Sequence, residues 1–376
     1  MNILMISFTS LIQELYHAKP RALARFPDIH LTVLVPPYWK ELWSTDTQEL
    51  EIKNDNSYRI IIGSTSFSGN LHLAIFKEKI GALLRELQPD IIDLENETFN
   101  AGSAQIVYLR NRYSPKSRIV MHASQSDFKK YPLPFNWFEQ YSLRNVSGFM
   151  ARNQDAVDVV RKKGYKGRVE IVTHGVDPLQ FTWKQDAAKS ALGLSNEFVI
   201  GYIGALGEHK GLDTLMRAVT SLHCKLVLVG HGPYRNEIIR LSKELGLGNK
   251  LEIVPPIPHR EVPKYLAAMD TFVLPSRTMP NWREKFGRVL IEAMAAGVPI
   301  VGSDSGEIPH VIGDAGLVFP EGNVKQLELH LRNLIENPDT RSDLTQKGSV
   351  RVNTHYSWEV IAKKTHALYQ EVLEES

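Results

Sequence analysis

Short apolar runs alternate with helical patterns along most of this chain, and this alternation restricts the possible folds more than any other feature. Such runs are typical of βα units, which build parallel sheets covered by helices. The first series of predicted strands spans residues 3–8, 31–35, 91–94, 118–121, 148–151 and 169–172. The second spans residues 198–203, 225–229, 251–254, 271–274, 300–301 and 317–318. The two series predict an α/β protein with two doubly wound, Rossmann-like domains.

The boundary between the two series falls at residues 173–178, where Gly175 and Pro178 interrupt the pattern. At about 150 residues per domain, a chain of 376 residues fits two domains. We expect an N-terminal domain over 1–175 and a C-terminal domain over 176–356. Residues 357–376 have helical periodicity and no strand after them. Ligands of open α/β sheets bind beyond the carboxyl ends of the strands, so we expect a substrate cleft between two facing sheets.

Composition excludes several classes of protein. The formal net charge is +2, without the dominant basic face of a nucleic-acid-binding protein. The single cysteine, Cys224, rules out an intrachain disulfide and is expected to be a small buried apolar residue. No apolar run reaches the roughly 18 residues of a membrane span, and the first residues are typical of a strand rather than a signal peptide. We expect a cytoplasmic protein, either soluble or peripheral to the inner face of a membrane.

The segment 284–299 is the strongest candidate for chemistry. A helix beginning near Gly287 and ending at Gly297 leaves Glu284 in the preceding loop, beside the helix N-terminus. Unpaired N–H groups and a partial positive charge favour an anion such as a diphosphate there. Glu292 lies within the helix, where it can accept hydrogen bonds from a ribose diol. The alternative is that Glu284 and Glu292 are ordinary solvated acids near the helix ends.

A second candidate is the glycine-bearing turn over residues 201–211, where Lys210 lies near a helix start and can neutralise phosphate charge. Its alternative interpretation is a plain surface lysine. The glycine spacing is G-x-x-G-x-x-G rather than the dinucleotide fingerprint, and the pair Gly230 and Gly232 lacks a third glycine. These spacings disfavour a nicotinamide cofactor.

The N-terminal half offers weaker candidates. His122 follows a predicted strand and would lie at the cleft, although a lone histidine is usually structural. Asp93, Glu95 and Glu97 could bind an acceptor or be solvated. The histidines show no metal-ligand spacing, and no metal is expected. The basic, aromatic segment 129–138 could contact a lipid-linked acceptor or a membrane surface, or be a buried loop.

Residues 198–319 resemble the donor-binding domain of family 4 glycosyltransferases, which have the GT-B fold. The resemblance rests on the strand, turn and Lys210-Gly211, on residues 273–276, and on the run 284–304. A weaker match includes Gly164-Tyr165 and residues 174–178 with Phe181, so the resemblance covers most of the chain.

The resemblance implies a role for each matched residue. Glu284 is expected to bind the donor sugar, Lys210 the diphosphate and Glu292 the ribose. His122 occupies a place where the family often has a histidine near the donor sugar. The remaining implied contacts are backbone N–H groups of Phe286 and Gly287 to sugar and phosphate, Val289 and Leu290 to the nucleoside, and Pro256 and Ile257 to the base. The final helix is expected to return to the first domain.

Two departures from the family pattern affect the expected site. The family usually has an arginine directly after the glycine equivalent to Gly204, and this chain has Ala205. Arg283 or Arg288 could replace the missing cation. The paired glycines expected before Ile308 are Gly306 and Glu307, and the acid that follows in the family is His310.

The implied activity is metal-independent, retaining transfer of a hexose from a nucleotide sugar to a saccharide or lipid-linked acceptor in polysaccharide biosynthesis. UDP-glucose is the first expectation for the donor, with no separate cofactor and no nucleic-acid partner. Three alternatives remain: an epimerase or phosphorylase of the same fold, a non-catalytic nucleotide-sugar binding subunit, which Ala205 favours, and an oxidoreductase, which the glycine spacing disfavours.

Overall fold

The computed structural model describes residues 1–9, 11, 13–40, 47–51, 55–77, 79–195 and 197–375. They form two compact units, which we call the first domain, Met1–Thr173 with Trp358–Ser376, and the second domain, His174–Ser357. The strands are β1 (Asn2–Ser7), β2 (His30–Val35), β3 (Tyr38–Lys40), β4 (Thr47–Glu49), β5 (Arg59–Ile62), β6 (Thr65–Ser66), β7 (Ile75–Phe76), β8 (Ile91–Glu95), β9 (Arg118–Ala123), β10 (Gly148–Ala151), β11 (Arg168–Ile171), β12 (Val199–Ile203), β13 (Lys225–Val229), β14 (Leu251–Val254), β15 (Thr271–Leu274), β16 (Ile300–Ser303) and β17 (Gly316–Phe319).

The α-helices lie between these strands and after the last of them. They are α1 (Ala18–Leu23), α2 (Ile80–Leu87), α3 (Ala101–Tyr113), α4 (Phe135–Asn145), α5 (Gln154–Lys162), α6 (Gln185–Ala191), α7 (Leu212–Ala218), α8 (Arg235–Glu244), α9 (Val262–Ala267), α10 (Arg288–Ala295), α11 (Ile308–Ile312), α12 (Val324–Glu336), α13 (Pro338–Arg351) and α14 (Trp358–Glu374). Within the described residues, no helix is both long enough and apolar enough to cross a membrane.

The first domain is built on a parallel sheet with the strand order β11-β10-β9-β8-β1-β2-β5. Six of these strands match the predicted series within two residues at either end. The edge strand β5 was not predicted, because it is short and partly exposed and carries no alternating pattern. The order reverses direction between β1 and β8, as in doubly wound folds.

The two faces of this sheet pack against different helices. Successive side chains of a strand point to opposite faces, so Leu4 and Ile6 of β1 belong to one apolar cluster, and Ile3 and Met5 to another. The second cluster includes Ile361, Leu368, Tyr369 and Val372 of α14. The final helix is therefore part of the core of the first domain.

The second domain has a parallel sheet with the order β14-β13-β12-β15-β16-β17. Counted from its own first strand this is 3-2-1-4-5-6, the order of dinucleotide-binding Rossmann folds. All six strands were predicted from the sequence. The direction of winding changes between β12 and β15, which pair in parallel at Ile200↔Thr271. Ligands of such sheets bind beyond the carboxyl ends of the strands that flank this change. The loops after β12 and β15 therefore form the part of the domain most suited to a ligand.

Candidate functional site

Lys210 and Glu284 meet at the change of winding in the second domain. Lys210 lies in the turn that follows β12, and Glu284 lies in the loop that follows β15. The Lys210 Nζ atom is 2.7 Å from Glu284 Oε2, and the two side chains are 15% and 12% exposed. Ser276 Oγ donates to the same carboxylate oxygen over 3.1 Å. The structure thus brings together two residues that the sequence picked out in separate segments.

Hydrogen bonds from Arg277 connect the loop after β15 to the turn after β12. Its backbone N–H donates to the His209 carbonyl oxygen over 2.8 Å. Its guanidinium donates to Asp213 Oδ1 over 2.6 Å and to Thr214 Oγ1 over 2.9 Å. Because both ends of this contact lie beside the Lys210–Glu284 pair, the relative position of the ammonium and carboxylate groups is fixed by the backbone as well as by their charge.

Gly306 and Glu307 hold the backbone of Glu284 from another direction. The Glu307 N–H donates to the Glu284 carbonyl oxygen over 3.0 Å. Gly306 has a φ of +53°, and a Cβ atom there would lie 2.0 Å from the same oxygen. A glycine is therefore required at 306 both for the backbone conformation and for the close approach.

The helix α10 begins and ends where the sequence predicted. Gly287 is its N-cap residue with a φ of +76°, and Gly297 follows its last turn with a φ of +73°. A glycine N-cap brings no side chain to accept from the first-turn N–H groups. These groups and the helix dipole favour an anion close to Glu284.

The other predicted donor contacts in and near α10 are buried or half-buried. Phe286 is buried against Tyr356, with ring centroids 5.8 Å apart, and Leu290 is fully buried. The Leu290 N–H donates to the Gly287 carbonyl oxygen over 2.8 Å, so it is engaged within the first turn of the helix. Val289 and Ile257 are half-buried and pack on the edge of the core.

Glu292 is buried, so the interpretation of this residue as a solvated acid is wrong. Its Oε1 atom lies 3.1 Å from Arg288 Nε and 3.3 Å from His259 Nε2. Both contacts use the same carboxylate oxygen. Arg288, which the sequence offered as a replacement phosphate ligand, forms an ion pair with the predicted ribose ligand one turn along the helix.

The turn after β12 contains the departure from the expected arginine. Ala205 is exposed, and its carbonyl oxygen accepts from the hydroxyl of the buried Tyr202 over 2.7 Å. Burial and the negative charge of Glu284 raise the pKa of Tyr202. The Gly204 N–H donates to the Val229 carbonyl oxygen over 3.0 Å, so this turn is held against the end of β13.

His122 lies in a buried polar network of the first domain. The Arg152 guanidinium, which can only donate, is 3.0 Å from His122 Nδ1. The neutral ring must therefore carry its proton on Nε2, which lies 3.0 Å from Asp93 Oδ1. Burial and the positive charge of Lys19 lower the pKa of His122, which favours this neutral form. In this arrangement both ring nitrogens are engaged by the protein itself.

Asp93 is the centre of the same network. Its Oδ2 atom accepts from Lys19 Nζ over 3.0 Å and from the Tyr369 hydroxyl over 2.6 Å. Burial alone would raise the pKa of Asp93, but the charge of Lys19 and the hydrogen bonds from His122 and Tyr369 hold it well below its usual range. Asp93 is fully buried, so the interpretation of this residue as solvated is wrong.

Several polar side chains of the site were not identified from the sequence. Ser276 lies two residues after the end of β15, and Trp282 lies two residues before Glu284. Both lie in the loop after a strand, where ligands of such sheets bind, so their position was a usable signal. The partners Lys19, Arg152 and His259 carried no such signal. Over the described part of the chain, no group of three or more His, Cys, Asp or Glu side chains is arranged to hold a metal ion.

The sequence around this site matches a known domain family. Residues 184–351 match the family model described as glycosyl transferases group 1. The match covers most of the second domain and less than half of the chain. It includes Lys210, Glu284, Arg288 and Glu292, which are polar residues selected from the sequence of this domain.

Curated relatives cover a similar part of the chain. A GDP-mannose-dependent monoacylated alpha-(1-6)-phosphatidylinositol monomannoside mannosyltransferase from Corynebacterium glutamicum is 29% identical over 214 residues, which cover 54% of this chain and 56% of that protein. A D-inositol 3-phosphate glycosyltransferase from Catenulispora acidiphila is 29% identical over 225 residues, covering 55% of this chain and 52% of that protein. The matched segments thus span about half the length of these relatives.

Solved structures resemble the whole chain. Sucrose-phosphate synthase from Thermosynechococcus elongatus has a TM-score of 0.73 at 19% identity and covers 100% of both chains. HepE from Anabaena, solved in complex with UDP, has a TM-score of 0.75 at 17% identity over 99% of this chain and 100% of that chain. The chain has the GT-B fold. At these identities the likeness establishes the GT-B architecture and leaves the activity to be argued from the site.

Proposed function

We propose that the protein is a retaining glycosyltransferase of family 4 that transfers a hexose from a nucleoside-diphosphate sugar to a saccharide or lipid-linked acceptor. The observation that carries the proposal is the Lys210–Glu284 pair, held beside the N-terminus of α10 at the change of winding of the second domain. A cation and the positive end of a helix dipole suit a diphosphate, and an adjacent carboxylate suits sugar hydroxyls.

The proposed reaction depends most on the groups that bind the leaving diphosphate. The bond between the anomeric carbon and the diphosphate oxygen breaks, and the acceptor hydroxyl oxygen bonds to the same face of that carbon. The acceptor proton passes to the departing diphosphate. Lys210 and the first-turn N–H groups of α10 stabilise the negative charge that develops on this leaving group, and preorganised donors of this kind typically contribute about 10²–10³ in rate.

The remaining predicted residues have supporting roles in this proposal. Glu284 binds hydroxyls of the donor sugar, and Glu292 binds the ribose through the carboxylate oxygen that faces away from Arg288. The second domain binds the donor, and the first domain contributes the acceptor side. Transfer proceeds without a metal ion and without a separate cofactor. His122 contributes to the donor sugar site only if its ring leaves Arg152 and Asp93, so we assign it a structural role.

UDP-glucose is our first choice of donor and GDP-mannose our second. HepE, which shares the fold along its whole length, has been solved with UDP and with UDP-glucose. The Corynebacterium relative is described as GDP-mannose-dependent. We propose polysaccharide assembly as the setting.

An exposed aromatic surface on the first domain supports a lipid-linked acceptor and a place at the inner face of a membrane. Leu133 is 78% exposed, Trp137 is 56% exposed and Phe128 is 47% exposed. Lys129 and Lys130 are exposed beside them. Tyr131 anchors the segment by stacking on Phe99, with ring centroids 4.1 Å apart. Aromatic and basic side chains displayed together suit the interface of an anionic membrane.

The proposal is tested first by thermal unfolding with UDP, GDP, ADP and NAD. A ligand at about 100 times its Kd stabilises a protein by about 2.7 kcal/mol, which is a shift of a few degrees. We expect a shift with UDP or GDP, followed by release of that nucleotide from the matching sugar donor when saccharide acceptors are added.

Two lysine variants sharpen this test. Lys210→Ala should reduce the shift, because the diphosphate loses its cation. Lys189→Ala should keep it, since Lys189 is paired with Asp270 over 2.6 Å in the same domain, away from this site. A shift with NAD alone would favour an oxidoreductase, and nucleotide binding without donor cleavage would favour a non-catalytic subunit.

A further inference from the structure

Trp282 lies against Lys210 in the second domain. The Lys210 Nζ atom is 4.4 Å from the centroid of the Trp282 ring, which is within the range of a cation–π contact. The His209 ring is also close, with its centroid 4.2 Å from that of Trp282. Burial and the positive charge of Lys210 lower the pKa of His209, so its ring packs there as a neutral group.

The backbone of Trp282 is fixed. Its N–H donates to the Met279 carbonyl oxygen over 3.1 Å, and the Met279 N–H donates back to the Trp282 carbonyl oxygen over 2.7 Å. These two bonds close a short hairpin within the loop after β15. Arg277 ties the start of the same loop to the turn that carries Lys210. The indole is therefore presented to Lys210 from a held position.

Trp282 and Glu284 act differently on the Lys210 ammonium. Glu284 attracts it but cancels its charge, whereas an aromatic face attracts it and leaves the charge available to a third group. A lysine side chain is long and flexible, and holding it in one conformation costs entropy. Ala205 stands where the resemblance leads us to expect an arginine. Without that second cation, binding of the diphosphate depends more strongly on where the Lys210 ammonium is held.

We propose that Trp282 is a positioning residue that holds the Lys210 ammonium for the diphosphate of the donor. This rests on the proposed nucleoside-diphosphate site. The ring keeps the ammonium in place when the diphosphate competes with Glu284 for it. Trp282 itself needs no contact with the donor for this role.

The test is a double-mutant cycle measured by calorimetric titration of UDP, or of GDP where GDP gave the larger thermal shift. Trp282→Leu should weaken the affinity for the nucleoside diphosphate about five- to tenfold, the size of a partly buried cation–π contact. In the Lys210→Ala background the same substitution should change the affinity less than about twofold. The affinity for the nucleoside alone should not change in any of these variants.

The matched control is Trp183→Leu, which removes a tryptophan that is 45% exposed elsewhere in the second domain. It should leave nucleotide affinity at the wild-type value. Circular dichroism of each variant checks folding, and Trp282→Met replaces Trp282→Leu if the latter does not fold.

Three results would overturn the inference. If Trp282→Leu leaves the affinity for the nucleoside diphosphate unchanged, Trp282 does not position Lys210. An equal loss for nucleoside and nucleoside diphosphate, or an equal loss with and without Lys210, assigns Trp282 to base contact or to general packing. If the wild-type protein binds neither UDP nor GDP, the proposed donor site fails first, and the inference fails with it.

Discussion

The position of Glu284 is set by residues far from it in the chain. Its carbonyl oxygen is approached by Gly306 and accepts from the Glu307 N–H, and its carboxylate meets Lys210, which is 74 residues away in sequence. The side chain is therefore held at both its backbone and its charged end. A carboxylate held in this way loses little entropy when it binds a sugar hydroxyl.

Gly306→Ala should displace Glu284 and reduce turnover at least about tenfold, because the new Cβ atom would lie 2.0 Å from the Glu284 carbonyl oxygen. The left-handed backbone adds a cost of about 1 kcal/mol. Initial rates of donor cleavage, together with chemical unfolding, measure the two effects. Gly246→Ala is the matched control: its φ is +63°, and a Cβ atom there meets nothing within 4 Å. Equal turnover in the two variants would show that the position of Glu284 does not matter.

The sequence was informative about individual residues where position along a strand determines location. Lys210 and Glu284 were selected because each lies beside a predicted helix start, and the structure pairs them. Glu292 was correctly placed inside a helix, but its contacts with Arg288 and His259 were not foreseen. His122 shows the limit most clearly, since its hydrogen-bond partners Asp93 and Arg152 are 29 and 30 residues away. Only tertiary packing brings such groups together.

At the scale of elements, α14 contributes both apolar packing and a buried hydrogen bond to the first domain. Its Tyr369 is fully buried and donates a hydrogen bond to Asp93, which also accepts hydrogen bonds from Lys19 and His122. A buried carboxylate is stable only when its charge is compensated by such partners. The hydroxyl of Tyr369 thus joins the helix to the centre of the sheet.

Tyr369→Phe should lower the free energy of unfolding by about 1.5–3 kcal/mol at pH 7, the value of a hydrogen bond to a charged group. The pKa of Asp93 is depressed in the folded state, so the stability from its charge is present above pH ~4, the usual aspartate pKa, and is lost as pH falls below it. The difference between wild type and variant should therefore shrink in acid. Urea unfolding at pH 7 and below pH 4 measures this, with Tyr108→Phe, an exposed hydroxyl, as control. A constant difference at all pH values would contradict the role of the Asp93 charge.

Strand prediction succeeded where strands are central and buried. Every strand of the second sheet and six strands of the first were recognised, because strands buried on both faces of a parallel sheet are near-continuous apolar runs. The short pieces β3, β4, β6 and β7, together with the edge strand β5, were missed. They have two to four residues each, which is too short for an alternating pattern to show.

At the scale of the whole molecule, the order of segments along the chain does not match their division into domains. The first domain combines residues from both ends of the chain, and the second domain is continuous. The buried side chains Ile361, Leu368 and Val372 belong to the first core. At about 1.5–3 kcal/mol each, they contribute an amount comparable with the total stability of a typical domain, about 5–15 kcal/mol.

A chain that ends at Ser357 should therefore lose the first domain and keep the second. The second domain retains its complete apolar cluster, whereas the first exposes one face of its sheet. Limited proteolysis followed by mass spectrometry should show residues 1–173 degraded rapidly and residues 174–357 protected. Full-length protein provides the comparison. Equal protection of both parts would show that α14 is dispensable for the first domain.

Because α14 belongs to the first domain, the order of synthesis also affects when that domain can fold. A ribosome must translate all of residues 174–357 before it makes the helix that completes the first core. At about 5–20 residues per second, the wait is on the order of 10–40 s. Throughout it, the nascent N-terminal half presents an uncovered apolar sheet face, while the later half becomes able to fold as soon as it emerges. The domain made first is thus the last to mature, and it is the part of the newborn chain that most needs a chaperone.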